Sequence, residues 1–563
     1  MRILVAQMTR MGDMLQTSPL VRALKTRFPD AHITAMVRRM GVAIAERNPD
    51  VDDVIVYDED AMFLDLHSDD SDRLLKAYQA AESYVRQLQE GRFDVVYNCT
   101  HSLASAMLFK LAGIPEAVGA HLSDDWQYVL RGRGPNYFFT SVLHREYNAL
   151  NLCDLFRHFL PDAAPCQELI FSVTDEDRQT AAGLLAGHGI GPEDFVACFQ
   201  MGASDTAKRW PVAQFAGLGA RLAQERAARI VLVGVDDEAP LGQELDRAAP
   251  GLAVHLFGKT SIPVLAALLE RANVLVTNDT GTMHIAAAVR CPIVLVSVGY
   301  VHFRETGPFG AGHCAVERHR ESLGRSDTMR AGPDERAALT PAHIARAVDV
   351  VLGCRDGRGA PQFEAEGEME AVDVYLSAFA PDGCLEWYPL VRRPITQVDL
   401  IRIAYRAMWL EFLSGKPDKS AERKSLERAV EHYRTGGDEL DAWRAALCKA
   451  FSELAGLGKR GARTTEQLLD VLRKRRGLQQ AKELVAGLMR LDEEIRLFGE
   501  MWEPCKPLVA IGRFERDNLE GADPVLLAET TLQIYRDLYA RARLMGQKLD
   551  RVAEAWAARQ PAG

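Results

Sequence analysis

Val274-Leu275-Val276 runs through Thr277 into Asn278-Asp279-Thr280-Gly281-Thr282-Met283-His284, and Ile285-Ala286-Ala287-Ala288-Val289 follows. An apolar β-rich run, a cluster of small polar residues and an alanine-rich stretch predict strand, tight turn and helix in that order. The first N–H groups of such a helix have no intrahelical partners and carry the positive end of its dipole, so the turn suits a phosphate. Capping of the helix by Asp279 or Thr280 explains the same residues equally well. Two further turns of this kind bear on the choice.

The strand Phe195-Val196-Ala197-Cys198-Phe199 leads into Gln200-Met201-Gly202-Ala203-Ser204-Asp205-Thr206-Ala207-Lys208-Arg209-Trp210-Pro211. Gly202 and Ala203 allow a ligand close to the backbone, Ser204 offers a hydroxyl and Lys208 a mobile cation. The third turn is N-terminal: Ile3-Leu4-Val5-Ala6 reads as a short buried strand, with Met11-Gly12-Asp13 just beyond its end. Open α/β sheets place ligands at such carboxyl edges. Asp13 with Gln16 also fits a capping box, a structural role. Ser18-Pro19 is a competing helix start, and a helix beginning there leaves Asp13 free for chemistry.

Together these turns resemble glycosyltransferase family 9, typified by the ADP-heptose:lipopolysaccharide heptosyltransferases. The resemblance rests on Met1-Arg2-Ile3-Leu4-Val5 with Gly12-Asp13, Gly202-Ala203-Ser204 with Lys208-Arg209-Trp210-Pro211, and Asn278-Asp279-Thr280-Gly281 with His284, in that order. It covers residues 1 to 353. It implies an α/β chain of GT-B architecture, two Rossmann-like domains facing each other across a cleft. Carried over by position, Asp13 is the general base. Ser204 and Lys208 hold the pyrophosphate, Thr280 and Gly281 complete the phosphate cradle beside His284, Asp279 lies near the donor sugar, and Glu238 binds the nucleoside ribose. The reaction implied is inverting transfer of a heptose or similar sugar from a nucleotide-diphosphate sugar, ADP-heptose foremost, to a lipopolysaccharide core or other surface glycan. A carboxylate base and a cationic leaving-group site perform such a displacement without a metal or a cofactor. No Asp-x-Asp or His-Glu-x-x-His pattern accompanies the turns.

Composition agrees with a cytoplasmic enzyme. The chain has 563 residues, 47% of them apolar, enough for two to four domains, and its net charge of -11 argues against a nucleic-acid partner. Ten scattered cysteines without a Cys-x-x-Cys pair read as reduced thiols. No apolar run reaches transmembrane length, which leaves peripheral contact with the inner face of the cytoplasmic membrane open.

Alternating short apolar runs and helical stretches divide the chain into an N-terminal acceptor domain (1–165) and a nucleotide-sugar domain (166–354). A linker with an acidic run (355–398) and an all-α region (399–563) follow, the latter read from Leu, Ile and Ala at helical spacing. On this division a chain ending near Gly359 keeps every motif-bearing turn. His302, Arg304, His313, Arg318, His319 and Arg320 form a basic cluster suited to an anionic acceptor or a solvated loop, and His101 faces either acceptor or core. The added helical region keeps two other readings in view: a protein-modifying heptosyltransferase, and a non-catalytic nucleotide-binding scaffold that holds a partner. Asp13, Lys208 and Asp279 together favour an active enzyme, since a scaffold needs none of them.

Overall fold

The computed structural model describes residues 1–319, 336–416, 418–434, 439–475 and 477–559, except the side chains of 59–61 and 63. The first sheet contains β1 (Arg2–Gln7), β2 (His32–Val37), β3 (Asp53–Val56), β4 (Val95–Asn98), β5 (Glu116–Leu122) and β6 (Tyr128–Arg131), in the order β3-β2-β1-β4-β5-β6. The second contains β7 (Val196–Gln200), β8 (Arg229–Leu232), β9 (Ala253–His255), β10 (Val274–Thr277), β11 (Ile293–Val296) and β12 (Cys314–Arg318). Its parallel part reads β9-β8-β7-β10-β11-β12, the same winding. Central strands such as β1, β7, β10 and β11 are buried along nearly their whole length, because helices cover both faces of a parallel sheet. The chain reverses direction between β1 and β4 and again between β7 and β10. These switch points are where open α/β sheets bind ligands, and the three motif turns leave the sheets there, after β1, β7 and β10.

The stretch expected as a linker is folded. β13 (Phe363–Glu364) pairs with β16 (Val391–Arg392), while β14 (Val372–Phe379) and β15 (Leu385–Pro389) extend the second sheet antiparallel from β12. Val372 and Val374 lie in the core of that domain. The acidic run masked an ordinary alternating strand just after it, Val372-Asp373-Val374-Tyr375-Leu376.

Six α-helices follow among the described residues: Gln397–Ser414, Lys419–Glu431, Glu439–Lys474, Leu478–Met501, Lys506–Asp517 and Pro524–Ala557. Glu439–Lys474 and Pro524–Ala557 lie along each other, brought close by Gly461, where a Cβ would stand 2.3 Å from the Tyr535 ring. Lys548, fully buried, donates to Glu411 Oε2 at 2.6 Å and Glu422 Oε1 at 2.8 Å and so ties three helices together.

This bundle is not an independent domain. Ile401, Tyr405, Met408 and Trp409 share one apolar core with Ile3, Val5, Leu20, Tyr137 and Leu155 of the first domain. Asn518 accepts from the Leu130 N–H at 2.8 Å, and Glu520 pairs with Arg131 at 2.9 Å, so the bundle also covers the edge strand β6. Arg406 joins all three parts, donating to the carbonyls of Ala149, Cys384 and Leu385 and to Asp382. A chain ending near Gly359 therefore loses two strands of the second sheet and one wall of the first domain's core.

Burial pushes the imidazoles of His101 and His158 down to about 3, and those of His302, His313 and His432 down to about 4. The unfolded chain takes these protons near pH 6.5 while the folded chain does not, so stability falls as pH drops from about 6.5 towards 4. Burial raises Asp154, Glu238 and Glu305, which act in the opposite sense, but the histidines that burial lowers outnumber them. The urea midpoint should accordingly fall between pH 7 and pH 5. A midpoint that rises over that range contradicts the burial of these rings.

Candidate active site

Helix Met11–Arg27 begins earlier than Ser18-Pro19 suggests, and Pro19 lies inside it. The proline removes the N–H that would bond to Leu15, and the Ser18 hydroxyl donates to that carbonyl instead, at 2.7 Å. Asp13 thus sits in the first helical turn. Its Oδ2 accepts from the Thr9 hydroxyl at 2.7 Å and the Arg10 N–H at 3.1 Å. No donor among the described residues is bonded to Oδ1, so one oxygen caps the helix and the other is open to an incoming group.

Helix Gly281–Ala288 starts after Thr280, whose side chain makes no cap hydrogen bond, so its first N–H groups lack a side-chain partner. It meets helix Met11–Arg27 start to start. A Cβ on Gly12 would stand 2.7 Å from the His284 ring, and one on Gly281 2.5 Å from Met11 Cε. Two positive dipole ends, one from each Rossmann-like domain, therefore converge. Between them His284 is buried and shifted towards its neutral form by desolvation, with Asp279 and Asp13 pulling the other way.

Lys208 Nζ donates to Asp279 Oδ2 at 2.9 Å, and these side chains are 12% and 15% exposed. The ammonium also lies 4.7 Å from the centre of the Tyr300 ring, whose hydroxyl donates to Asp205 at 2.8 Å. Gly299 permits that approach: at φ +71° a Cβ would stand 2.6 Å from the Ala207 carbonyl. Asn278 sets the two donor-side turns against each other. Its amide donates to the carbonyls of Met201 (2.8 Å) and Gly202 (3.2 Å), and its Oδ1 accepts from the Trp210 N–H (3.0 Å). Ser204 is exposed on the first of these turns.

Glu238 lies at the far end of this surface. Gln200 Nε2 donates to Oε2 at 3.0 Å, and a Cβ on Gly202 would displace its carboxylate from this position. Burial raises its pKa.

The structure thus gathers Asp13, Lys208, Asp279, Thr280, Gly281 and His284 at the junction of the two domains, with Ser204 and Glu238 along the β7 and β8 ends. It also pairs residues of the first domain with residues of the second. Asn148 Nδ2 donates to Glu305 Oε2 at 3.3 Å, Arg145 pairs with Glu305 at 3.4 Å, and Asn151 donates to the Gly307 carbonyl at 3.1 Å, all across the cleft. Sequence separations above 150 residues hide such pairs.

The basic cluster does not assemble here. His302 remains near the cleft, where Arg145 and Lys208 add to the burial that lowers it. Arg304 stacks on Phe303 and Tyr375, His313 is buried, His319 bonds to Asp373, and Arg320 lies outside the described residues. His101, at φ +57°, stacks on Phe138 at 4.5 Å and belongs to an aromatic core.

Residues 82–325 match the family described as glycosyltransferase family 9 (heptosyltransferase). The chain is 26% identical over 306 residues to lipooligosaccharide heptosyltransferase 2 of Haemophilus influenzae, covering 52% of this chain and 82% of that one. It is 25% identical over 305 residues to lipopolysaccharide heptosyltransferase 2 of Escherichia coli, with the same coverage of each. The crystal structure of a family 9 glycosyl transferase from Veillonella parvula aligns with a TM-score of 0.52 at 20% identity, covering 62% of this chain and 97% of that chain, which supports the shared fold. No helix among the described residues is long and apolar enough to cross a membrane. Residues 82–325 thus carry the match to glycosyltransferase family 9, on a fold shared with a solved member of that family, and a helical C-terminal region follows.

Proposed function

We propose that this glycosyltransferase moves a heptose, or a closely similar sugar, from a nucleoside-diphosphate donor to a lipopolysaccharide core or related surface glycan, with ADP-heptose as the donor and inversion at the anomeric carbon. The observation that carries this reading is the convergence of two helix starts and Lys208 at the switch points of both sheets. A diphosphate is the group such a place fits, because backbone N–H donors, dipole ends and an ammonium all favour concentrated negative charge.

In the reaction, Asp13 Oδ1 takes the proton of the acceptor hydroxyl as its oxygen attacks the anomeric carbon. The bond from that carbon to the diphosphate oxygen breaks on the opposite face, and the electron pair leaves with the nucleoside diphosphate. Lys208 turns from Asp279 to the departing phosphates, and the N–H groups at the start of helix Gly281–Ala288 share that charge, so the step runs without a metal or cofactor. Asp279, released from its ion pair, lies beside the donor sugar, with His284 packed behind it. Ser204 donates to a phosphate oxygen, and Glu238 accepts from ribose hydroxyls. A lipid-borne acceptor places this work at the inner face of the cytoplasmic membrane.

A thermal-shift panel of ADP-, UDP- and GDP-sugars on the full chain tests the donor. Ligand at a hundred times its dissociation constant adds about 2.7 kcal/mol of apparent stability, so ADP-heptose should raise the melting temperature clearly. Stabilisation by a UDP- or GDP-sugar with none from ADP-heptose contradicts the donor assignment.

A further inference from the structure

Two exposed surfaces combine apolar side chains with charge of one sign, and the signs are opposite. The first lies at the β3 edge of the first sheet, where helix Glu59–Leu66 follows β3 and packs on helix Ser71–Gly91. Leu64, Leu66, Leu74, Leu75 and Tyr78 face solvent there, Leu64 being 64% and Tyr78 71% exposed. Residues 58–72 hold seven carboxylates and neither lysine nor arginine. Arg73 is taken up by Asp65 at 2.8 Å, whereas Asp69, Asp70 and Asp72 form no ion pair among the described residues and stand near one exposed cation, Lys76.

The second surface is the end of the bundle where helices Glu439–Lys474 and Leu478–Met501 meet. Leu478, Val485 and Met489 fall on one face of the latter helix, outside its buried stripe of Ala481, Leu488 and Ile495, and Leu478 and Met489 are 74% and 70% exposed. Residues 473–490 hold six lysines and arginines against the single acid Glu483. Arg473 and Lys474 are taken up by Glu529 and Asp470, at 2.6 Å each, whereas Arg475, Lys482 and Arg490 are exposed and form no ion pair among the described residues. Lys482 shares the face of Leu478, Val485 and Met489. Clustered exposed apolar side chains rimmed by charge mark contact surfaces.

One chain does not bring these surfaces together. The acidic one follows β3, and the basic one adjoins the part of the bundle that covers β6, the opposite edge of the same sheet: helix Pro524–Ala557 begins just after Glu520, the partner of Arg131 in β6, and its Glu529 holds Arg473. An anionic lipid surface would accept the basic face and repel the acidic one, while a second copy of the chain uses both.

We propose that the protein associates head to tail, the acidic apolar surface at the β3 edge of one copy docking on the basic apolar surface of the bundle of the next. Each such contact leaves one surface of either kind open, so it repeats into a chain or closes into a ring.

Sedimentation velocity of the full chain from about 1 to 100 μM tests this, the span in which weak contacts assemble. Association is expected in the parent, weakening as salt is raised. Tyr78→Lys and Met489→Glu each give one surface a charge of the sign its partner carries. Either should abolish association, and an equimolar mixture of the two should recover it, since each variant keeps the surface that the other lacks. Lys482→Glu and Asp69→Lys leave the apolar residues in place, should each weaken association roughly tenfold, and serve if a variant of the first pair fails to fold. A parent chain that stays monomeric, association undiminished in the folded variants, or a mixture as monomeric as its components would overturn the proposal. A monomeric parent that binds phosphatidylglycerol vesicles, with that binding lost in Met489→Glu, would give the basic face to a membrane and overturn it as well.

Discussion

Asp13→Asn should lower turnover by about a hundredfold or more while leaving donor affinity and melting temperature nearly unchanged, because a positioned general base contributes roughly 10²–10⁴-fold. The variant isolates the base role. Oδ2 accepts from the Thr9 hydroxyl and the Arg10 N–H, and an asparagine carbonyl accepts from both equally well, so the helix start survives the change. What asparagine cannot do is take a proton at the oxygen that stands open. A steady-state assay beside a thermal melt separates the two roles. Near-normal turnover in a stable Asp13→Asn protein would leave Asp13 as a cap and nothing more.

Removal of residues 360–563 should abolish soluble, cooperatively folding protein, and removal of 398–563 should do the same. The shorter chain strips β14 and β15 from the second sheet and leaves the β12 edge unpaired beside a core that has lost Val372 and Val374. The longer one keeps those strands but uncovers the first domain where Ile401, Tyr405, Met408 and Trp409 close its core. At about 1.5–3 kcal/mol for each large apolar side chain lost from burial, those four residues alone approach the roughly 5–15 kcal/mol that holds a domain folded. Soluble yield and near-ultraviolet circular dichroism report the outcome. A truncated chain that melts cooperatively and still binds ADP would show that the bundle is an appendage rather than part of the fold.

That result turns on a feature hard to read from residue order. The three turns and the strands that feed them were legible, because buried parallel strands are continuous apolar runs and the turns are dense in small polar residues. The helical character beyond residue 399 was legible from its spacing. Three things were not. The start of helix Met11–Arg27 was obscured by Pro19, whose missing donor is replaced by Ser18, a compensation visible only in three dimensions. The strands after the acidic run read as a linker, since composition there outweighs a short period-two pattern. The shared core between bundle and first domain involves partners about 400 residues apart, and amphipathic spacing says that a helix has a buried face without saying what it faces. At the site, the turns could be found singly. Their start-to-start approach through Gly12, His284, Gly281 and Met11, the Lys208–Asp279 pair and the Asn278 clamp depend on two sheets being set opposite each other.

Calorimetric titration of ADP into the full chain and into Lys208→Ala tests most directly the claim that a nucleoside diphosphate is held at this junction. Loss of a charge-assisted contact worth about 1.5–3 kcal/mol should weaken binding roughly tenfold or more, with the melting temperature of the ligand-free protein monitored alongside. The account predicts measurable binding to the parent chain and that loss in the variant. ADP bound equally tightly by a stable Lys208→Ala protein, or not bound by the parent at all, would contradict it.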